Sequence, residues 1–286
     1  MTRIIIVGAA GRMGLSMIRC ASHFKDLRVV AAIDKPGDPA IGKNAGMLAG
    51  IGETDVVITD SLKTTAAAEV IVDFSFHTAT AANARATADL GLGMVVGTTG
   101  LSEEEGLAVR KAAERIPIVW APNMSMGVNV LFSLVSKAAE TLGLRYDVEI
   151  VEAHHKHKKD APSGTAIQLA KEVAAARNQD LNAVAVYGRH GQTGERPDGQ
   201  IAIHSVRMGD VVGDHTVNFS VDGERLELSH RATSRDALAV GALRAAMWVA
   251  RRKPGLYNMQ DVLGLRTTSD FIPRETGGMF PPKQKS

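Results

Sequence analysis

The chain has 286 residues, 45% apolar and 22% charged, a composition that can fill the cores of two ordinary domains. Its 33 basic and 31 acidic residues leave a formal net charge of +2, too small for a general nucleic-acid-binding surface. The apolar runs are too short to span a membrane and the N-terminus does not resemble an export signal, so a cytoplasmic protein is expected. The single cysteine, Cys20, cannot form an internal disulfide or a thiolate metal cluster.

A nucleotide site is predicted where the first apolar strand meets a glycine-rich loop. Residues 4–7 form a continuous apolar run, the sequence GAAGRMG follows, and a helical pattern covers residues 13–24. The glycines are Gly8, Gly11 and Gly14. Their G-x-x-G-x-x-G spacing is one residue longer than the usual dinucleotide fingerprint. Glycines let the backbone approach a pyrophosphate, which the start of the next helix can bind.

An acidic residue at the end of the second strand agrees with this prediction. The apolar run 29–33 ends in Asp34, 20 residues after Gly14. This is the separation expected for a carboxylate that binds an adenosine ribose. Lys35, next to it, can neutralise the 2′-phosphate of NADP. The sequence therefore predicts a nicotinamide dinucleotide and leaves the choice between NADH and NADPH open.

Further apolar runs at residues 70–74, 94–97 and 116–120, with helical segments between them, predict a doubly wound parallel sheet of the Rossmann type. Two loops follow these strands, at residues 97–100 and 121–129. Ligands bind at the carboxyl ends of strands in such sheets, so both loops are candidates for the same site.

The pattern of the second half differs. Strand-like runs at residues 147–153, 201–208, 211–221 and 225–231, with a helix at 164–176, predict a mixed or antiparallel sheet with few helices. Helical patterns flank this region at residues 129–142 and 235–252. The fold class is therefore α/β: a Rossmann-type domain, residues 1–128 completed by 236–286, and an inserted α+β domain, residues 129–235. The last residues, 275–286, are predicted to be a loose tail.

The segment EAHHKHKKDAPSGTA, residues 152–166, places three histidines and three lysines beside a predicted helix start. A metal site, a solvated basic loop and an anion-binding pocket are the alternatives. The lysines disfavour a dication, so no metal is expected. Gly164 and Thr165, at the start of a helix capped by Ser163 or Thr165, suit a carboxylate or phosphate. A histidine near neutral pH is suited to general acid catalysis.

Taken together, these motifs closely resemble the dihydrodipicolinate reductase family, the NAD(P)H-dependent enzymes of the diaminopimelate route to lysine. Residues 152–166 match the family signature E-A-H-H-x-x-K-x-D-A-P-S-G-T-A without a gap. The resemblance spans nearly the whole chain, and includes the segments VGAAGRMG, VVGTTG, APNMSMGVNV, GERPDGQIAIHSVRMGDVVGDHTV and LELSHRATSR. It implies reduction of a cyclic unsaturated imine dicarboxylate and a homotetramer. Because the two ligands are placed in different domains, a hinge near residues 122–129 and 231–236 is expected to close the domains on each other.

The resemblance also implies roles for individual residues. His154 matches the proton donor and Lys158 the catalytic lysine; His155, Ser163, Gly164 and Thr165 match substrate-binding positions. The matching cofactor-binding positions are Gly8, Ala9, Ala10, Gly11, Arg12, Met13, Asp34, Lys35, Gly97, Thr98, Thr99, Ala121, Pro122, Asn123 and Met124. Met124 replaces a frequent phenylalanine, Phe76 replaces an arginine of some members, and the residues after about 266 extend past the usual end.

Three rival functions remain at this point. An aspartate or homoserine dehydrogenase would share the first half but does not explain the histidine-rich segment. A dinucleotide sensor without turnover would not need His154 and Lys158. A histidine-ligated metal hydrolase would be inhibited by chelators and independent of nicotinamide.

Overall fold

The computed structural model describes residues 1–62 and 67–265. The predicted tail at residues 275–286 therefore lies outside the described residues, as does the remainder of the chain after residue 265. The described residues contain no helix that is long and apolar enough to cross a membrane.

The secondary structure alternates between strands and helices in the first half and is richer in strands in the second. The strands are β1 (Thr2–Val7), β2 (Leu27–Ile33), β3 (Ile58–Thr59), β4 (Val70–Asp73), β5 (Gly93–Val96), β6 (Pro117–Trp120), β7 (Asp147–His154), β8 (Ala185–Tyr187), β9 (Ile201–Arg207), β10 (Gly213–Val221), β11 (Glu224–Ala232) and β12 (Gly255–Tyr257). The helices are α1 (Arg12–Ala21), α2 (Ala45–Ala49), α3 (His77–Leu90), α4 (Glu103–Ala113), α5 (Met126–Leu142), α6 (Gly164–Ala176), α7 (Leu181–Val184), α8 (Asp236–Val249) and α9 (Met259–Leu263).

The first sheet is parallel throughout, in the order β12-β6-β5-β4-β1-β2-β3. Alternate residues of β1 enter different cores: Ile4 and Ile6 pack with α1 and α8, whereas Ile5 and Val7 pack in a cluster with β2 and β4. Helices α3 and α4 pack together with β5 and β6. Both faces of the sheet are thus buried, which explains why its strands are continuous apolar runs. The predicted doubly wound sheet is confirmed.

The second sheet is mixed, in the order β11-β10-β7-β9-β8. Strand β10 is antiparallel to β11 and β7, whereas β7, β9 and β8 are parallel. The inward residues of β7, Val148 and Ile150, share a core with residues of α5 and α6. The opposite face exposes more than a third of Val151 and Val206. The predicted mixed sheet is confirmed as well.

The chain enters the second sheet after β6 and returns to the first through α8 and β12. This connectivity agrees with an insertion, although the limits 1–128, 129–235 and 236–286 stay a prediction. The expected start of α5 near residue 129 is wrong, because Ser125 caps the helix and its hydroxyl accepts a hydrogen bond from Val128 N at 3.3 Å. Residues 126–129, predicted to belong to a hinge, are therefore the first turn of a helix.

Strand β7 carries an ion-pair cluster on its outward face. Glu149 accepts hydrogen bonds from Arg189 and Arg196 at 3.0 Å each, and His204 Nε2 lies 2.6 Å away. Burial by itself raises the pKa of Glu149, but these hydrogen bonds outweigh it and lower the pKa from 4.5 to about 2. The cluster therefore stabilises the fold only while this carboxyl is ionised.

The stability that Glu149 contributes should be present above about pH 4.5 and lost as the pH falls towards 2, because its pKa is lower in the folded than in the unfolded chain. We expect Glu149→Gln to lower the free energy of unfolding by about 1–3 kcal/mol at pH 7 and by much less near pH 2. Urea denaturation of both proteins at each pH measures this. An equal loss at both pH values would contradict it.

Candidate active site

The glycine-rich loop between β1 and α1 is tightly packed against its neighbours. Gly8 has φ +80°, and a Cβ placed there would lie 2.6 Å from the carbonyl oxygen of Phe74. A Cβ at Gly14 would overlap the backbone of Gly8 and Ala9. Helix α1 begins at Arg12, and its N-cap, Gly11, has no side chain to occupy the helix start. The loop and the first turn of α1 therefore leave room and backbone N–H groups for a pyrophosphate.

Asp34 lies directly beside this loop, at the end of β2. Its Oδ2 accepts a hydrogen bond from Ala10 N at 2.7 Å, and its Oδ1 accepts one from Lys35 N at 2.8 Å. A carboxylate oxygen can accept more than one hydrogen bond, so each retains capacity for a ribose hydroxyl. The Lys35 side chain is exposed at the same edge. Loop and carboxylate together fit the adenosine part of a dinucleotide.

The two loops after β5 and β6 contribute mainly their backbones. Thr98 is buried, and its hydroxyl donates to the carbonyl oxygen of Ser75 at 3.2 Å. A Cβ at Gly97 would overlap the ring of Phe74. Ala121 and Met124 are also buried, whereas Thr99 and Pro122 are exposed. Of the predicted positions in these loops, the exposed pair therefore has side chains open to a ligand.

The histidine-rich segment begins at the carboxyl end of β7. His154 is the last residue of the strand, and its Nδ1 lies 2.6 Å from Oε2 of the fully buried Glu152. Arg207, on β9, donates to both oxygens of Glu152 at 2.8 and 2.9 Å. Ser163 N donates to the same carboxylate at 3.1 Å. Burial by itself raises the pKa of Glu152, but the hydrogen bonds from His154 and Arg207 outweigh it and lower the pKa well below its usual range.

Lys158 and His155 lie in the loop that follows His154 at the carboxyl end of β7. Lys158 Nζ donates to both oxygens of Asp160 at 2.9 Å, so its charge is paired. Nδ1 of His155 is buried and has no hydrogen-bond partner among the described residues. A buried polar atom without a partner is uncommon in folded proteins and is often satisfied by a ligand or water.

The start of α6 joins this segment to the nucleotide side. Ser163 is the N-cap: its hydroxyl accepts from Ala166 N at 3.1 Å, so of the two predicted caps Ser163 is the one observed. Gly164 and Thr165 form the first turn, and Gly164 is exposed with free space around it. Asn123, in the loop after β6, donates to the Thr165 hydroxyl at 3.0 Å. The predicted cofactor and substrate positions therefore meet at a direct hydrogen bond.

Known proteins with this sequence pattern are oxidoreductases. The family model for "Dihydrodipicolinate reductase, N-terminus" matches residues 2–124, and that for its C-terminus matches residues 127–263. The chain belongs to the dihydrodipicolinate reductase family. A 4-hydroxy-tetrahydrodipicolinate reductase of Anaeromyxobacter dehalogenans is 50% identical over 93% of this chain and 99% of its own length. One of Myxococcus xanthus is 46% identical over 94% of this chain and 100% of its own.

Solved structures agree on the fold. The dihydrodipicolinate reductase of Paenisporosarcina sp. TG-14 superposes with a TM-score of 0.72 at 23% identity, over 91% of this chain and 98% of that one. A probable dehydrogenase of Thermotoga maritima has a TM-score of 0.59 at 12% identity, over 91% of this chain and 92% of that one. As a member of the reductase family, this chain is an NAD(P)H-dependent oxidoreductase with a Rossmann-type domain and a second, mixed sheet.

Three residues around the reductase signature were not predicted from the sequence. Glu152 and Arg207 form the buried ion pair next to His154, and His215, on β10, lies 2.9 Å from the Ser163 hydroxyl through Nε2. A signal for Glu152 was available, because it follows Val148 and Ile150 on the inward face of β7 and an inward carboxylate needs a partner. The partners themselves come from distant strands and have no local signature.

Among the described residues, no group of three or more histidine, cysteine or acidic side chains is arranged to hold a metal ion.

Proposed function

We propose that this protein reduces dihydrodipicolinate, or its 4-hydroxy-tetrahydrodipicolinate precursor, to tetrahydrodipicolinate in lysine and diaminopimelate biosynthesis. The observation that supports it most is the Asn123–Thr165 hydrogen bond, which brings the loop beside the expected nicotinamide against the helix start expected to bind the substrate. The similar proteins of Anaeromyxobacter and Myxococcus are both named as reductases of 4-hydroxy-tetrahydrodipicolinate. The Paenisporosarcina reductase is described with bound dipicolinate, a cyclic dicarboxylate.

The residues present fit a nicotinamide dinucleotide. The tight Gly8 turn and the helix start at Arg12 suit the pyrophosphate, and Asp34 and Lys35 suit the adenosine ribose with or without a 2′-phosphate. When bound, the reduced cofactor supplies the hydride for the reaction. The pair Asp34 and Lys35 agrees with use of NADH or NADPH.

The substrate-binding residues are cationic or present backbone donors. Lys158 and the first turn of α6, Gly164 and Thr165, would bind the two carboxylates of the substrate, and His155 would donate to one of them. Because Lys158 is paired with Asp160, an entering carboxylate would compete with Asp160 for it. These contacts orient the ring and offset its negative charge.

Hydride addition to a conjugated ring leaves electron density on an enamine carbon, which must be protonated. His154 would donate that proton and regain it from solvent between turnovers. Its side chain is only 12% exposed, so the donor lies in a largely dry environment.

The two domains would close on the bound cofactor and substrate, with residues 122–125 and 231–236 as the hinge. The Asn123–Thr165 contact would then be part of the closed form. A cytoplasmic homotetramer assembled through the second sheet completes the proposal; exposed Val151 and Val206 on its outer face agree with this.

The test is a direct assay of the purified protein. We expect it to oxidise NADH, NADPH or both when freshly generated dihydrodipicolinate is added, which is followed as a decrease in the absorbance of the reduced cofactor. Dipicolinate should inhibit competitively with the substrate, and a chelator should have no effect. Cofactor binding without turnover would contradict the proposal and favour a sensor. Turnover of aspartate semialdehyde or homoserine instead would favour another dehydrogenase.

A further inference from the structure

The inward face of the second sheet ends in a set of polar residues next to His154. Cross-strand pairing places Ser205, Glu152, His215 and His230 in one row, because Glu152 pairs with Ser205 and His215, and His215 pairs with His230. In the next row His154 pairs with Arg207. Neighbours in register share a face of the sheet, so these side chains point towards α5 and α6 rather than to the outer face.

Glu152 has the position of a fixed hydrogen-bond acceptor within this set. Its side chain is fully buried, and its carboxylate accepts from both terminal nitrogens of Arg207 and from the backbone of Ser163. Two parallel bonds from a guanidinium fix a carboxylate in orientation as well as position. The Ser205 side chain also hydrogen-bonds to this carboxylate. Nδ1 of His154 lies 2.6 Å from its Oε2. Arg207 also donates to the carbonyl oxygen of Asp160 at 2.7 Å, which ties the Lys158 loop to the same pair.

An ionised carboxylate can only accept hydrogen bonds, so the proton between Glu152 and His154 belongs to Nδ1. The depressed pKa of Glu152 keeps it ionised at neutral pH. The other ring nitrogen, Nε2, faces Gly213, where a Cβ would come within 3.1 Å of it. The absence of a side chain at Gly213 leaves space at this nitrogen.

We propose that Glu152 is a positioning residue that holds the Nδ1–H of His154 and so makes Nε2 the nitrogen that gives its proton to the substrate, with Arg207 fixing Glu152 in turn. This inference rests on the proposed function, because it assumes that His154 is the proton donor. In each turnover the imidazolium would lose the Nε2 proton to carbon and keep the proton on Nδ1, which stays hydrogen-bonded to Glu152. The neutral ring is then left in the single tautomer that can be reprotonated at Nε2.

Other charged groups also face His154. His215, on β10, packs edge-to-face on its ring at 5.2 Å. Burial, together with the nearby His154, lowers the pKa of His215 to about 3, so His215 stays neutral and does not compete for Glu152. Lys158 and His155, in the loop after β7, Arg207, on β9, and His230, on β11, are further nearby groups that carry or can carry positive charge. Among the described residues, Glu152 is thus the carboxylate in direct contact with His154.

The experiment compares Glu152→Gln with Glu149→Gln. Both remove a paired carboxylate from β7, but Glu149 lies on the outer face, away from His154. We expect Glu152→Gln to lower kcat by about 10- to 30-fold with KM changed by less than about threefold. We also expect the alkaline limit of its kcat/KM profile to move to lower pH, because the negative charge beside the imidazolium is lost. Glu149→Gln should keep kcat, KM and the profile.

Further variants separate positioning from damage to the fold. Glu152→Gln leaves Arg207 buried without its partner, so the double variant Glu152→Gln/Arg207→Gln is measured too and should show the same kcat and pH profile. Glu152→Asp, which keeps the charge, should recover part of the rate. In ¹⁵N spectra of histidine-labelled protein, the neutral ring of His154 should carry its proton on Nδ1 in the wild type. In Glu152→Gln the same ring should be a mixture of the Nδ1–H and Nε2–H tautomers.

The outcomes distinguish this inference from the proposed function. If the wild type does not oxidise the reduced cofactor, the proposed function fails first. If the wild type is active and Glu152→Gln keeps the wild-type kcat, pH profile and Nδ1–H tautomer, the positioning role alone is overturned. A rate loss in the folded variant without a changed profile or tautomer would also overturn it, because a merely structural role predicts that result.

Discussion

Replacement of His154 by alanine is expected to lower kcat by two or more orders of magnitude and to change KM by less than about threefold. The proposed role is transfer of a proton in the transition state, and general acids typically contribute about 10²- to 10⁴-fold to the rate. Because His154 ends β7 with its ring held by Glu152, a neighbouring histidine cannot take its place without moving the strand. Steady-state kinetics with a saturating reduced cofactor measure the effect.

The matched control is His157→Ala. His157 lies in the same loop, is exposed, and packs its ring 6.2 Å from that of His155. It has no assigned role, so its replacement should leave kcat and KM within about twofold of the wild type. Equal losses in both variants would mean that the loop as a whole, rather than the proton of His154, is required.

Much of the first sheet was predictable from local sequence because its strands are buried on both faces. Continuous apolar runs such as residues 4–7 and 70–74 have few other interpretations when glycine turns and helical patterns follow them. The short edge strands β3 and β12 were not predicted, because two or three residues are too few to give a periodic signal. The early start of α5 was missed because it depends on a cap by Ser125 that lies within an apparent loop.

The candidate site likewise contains residues that local sequence predicts and residues that it does not. The positions of His154, Lys158 and Ser163 follow from one continuous segment, whose motif is specific. The partners that give these residues their chemistry do not: Arg207 reaches Glu152 across 55 residues of sequence, and Asn123 reaches Thr165 across 42. Such contacts depend on strand register and on how the two sheets are connected, so only the folded chain reveals them. The buried position of Glu152 is the exception, since alternation along β7 predicts it.

Lys158→Ala is expected to lower kcat/KM by two or more orders of magnitude, chiefly by raising KM for the substrate. The lost ammonium is the proposed partner of a substrate carboxylate, and an ion pair in a partly desolvated site contributes more than one in water. Its side chain is 20% exposed, which agrees with such an environment. The KM for NADH or NADPH should change little, because the residues proposed to bind the cofactor lie on the other sheet.

Asp160→Asn supplies the opposite change at the same place. Asp160 accepts two hydrogen bonds of 2.9 Å from Lys158, so neutralising Asp160 should free the ammonium for the substrate. We expect KM to stay the same or to fall by up to about threefold, while kcat is retained. A large rise in KM for Asp160→Asn would instead indicate that the ion pair itself forms the binding site. Lys158 would then act by ordering its loop, and the loss in Lys158→Ala should be reproduced by removing either partner.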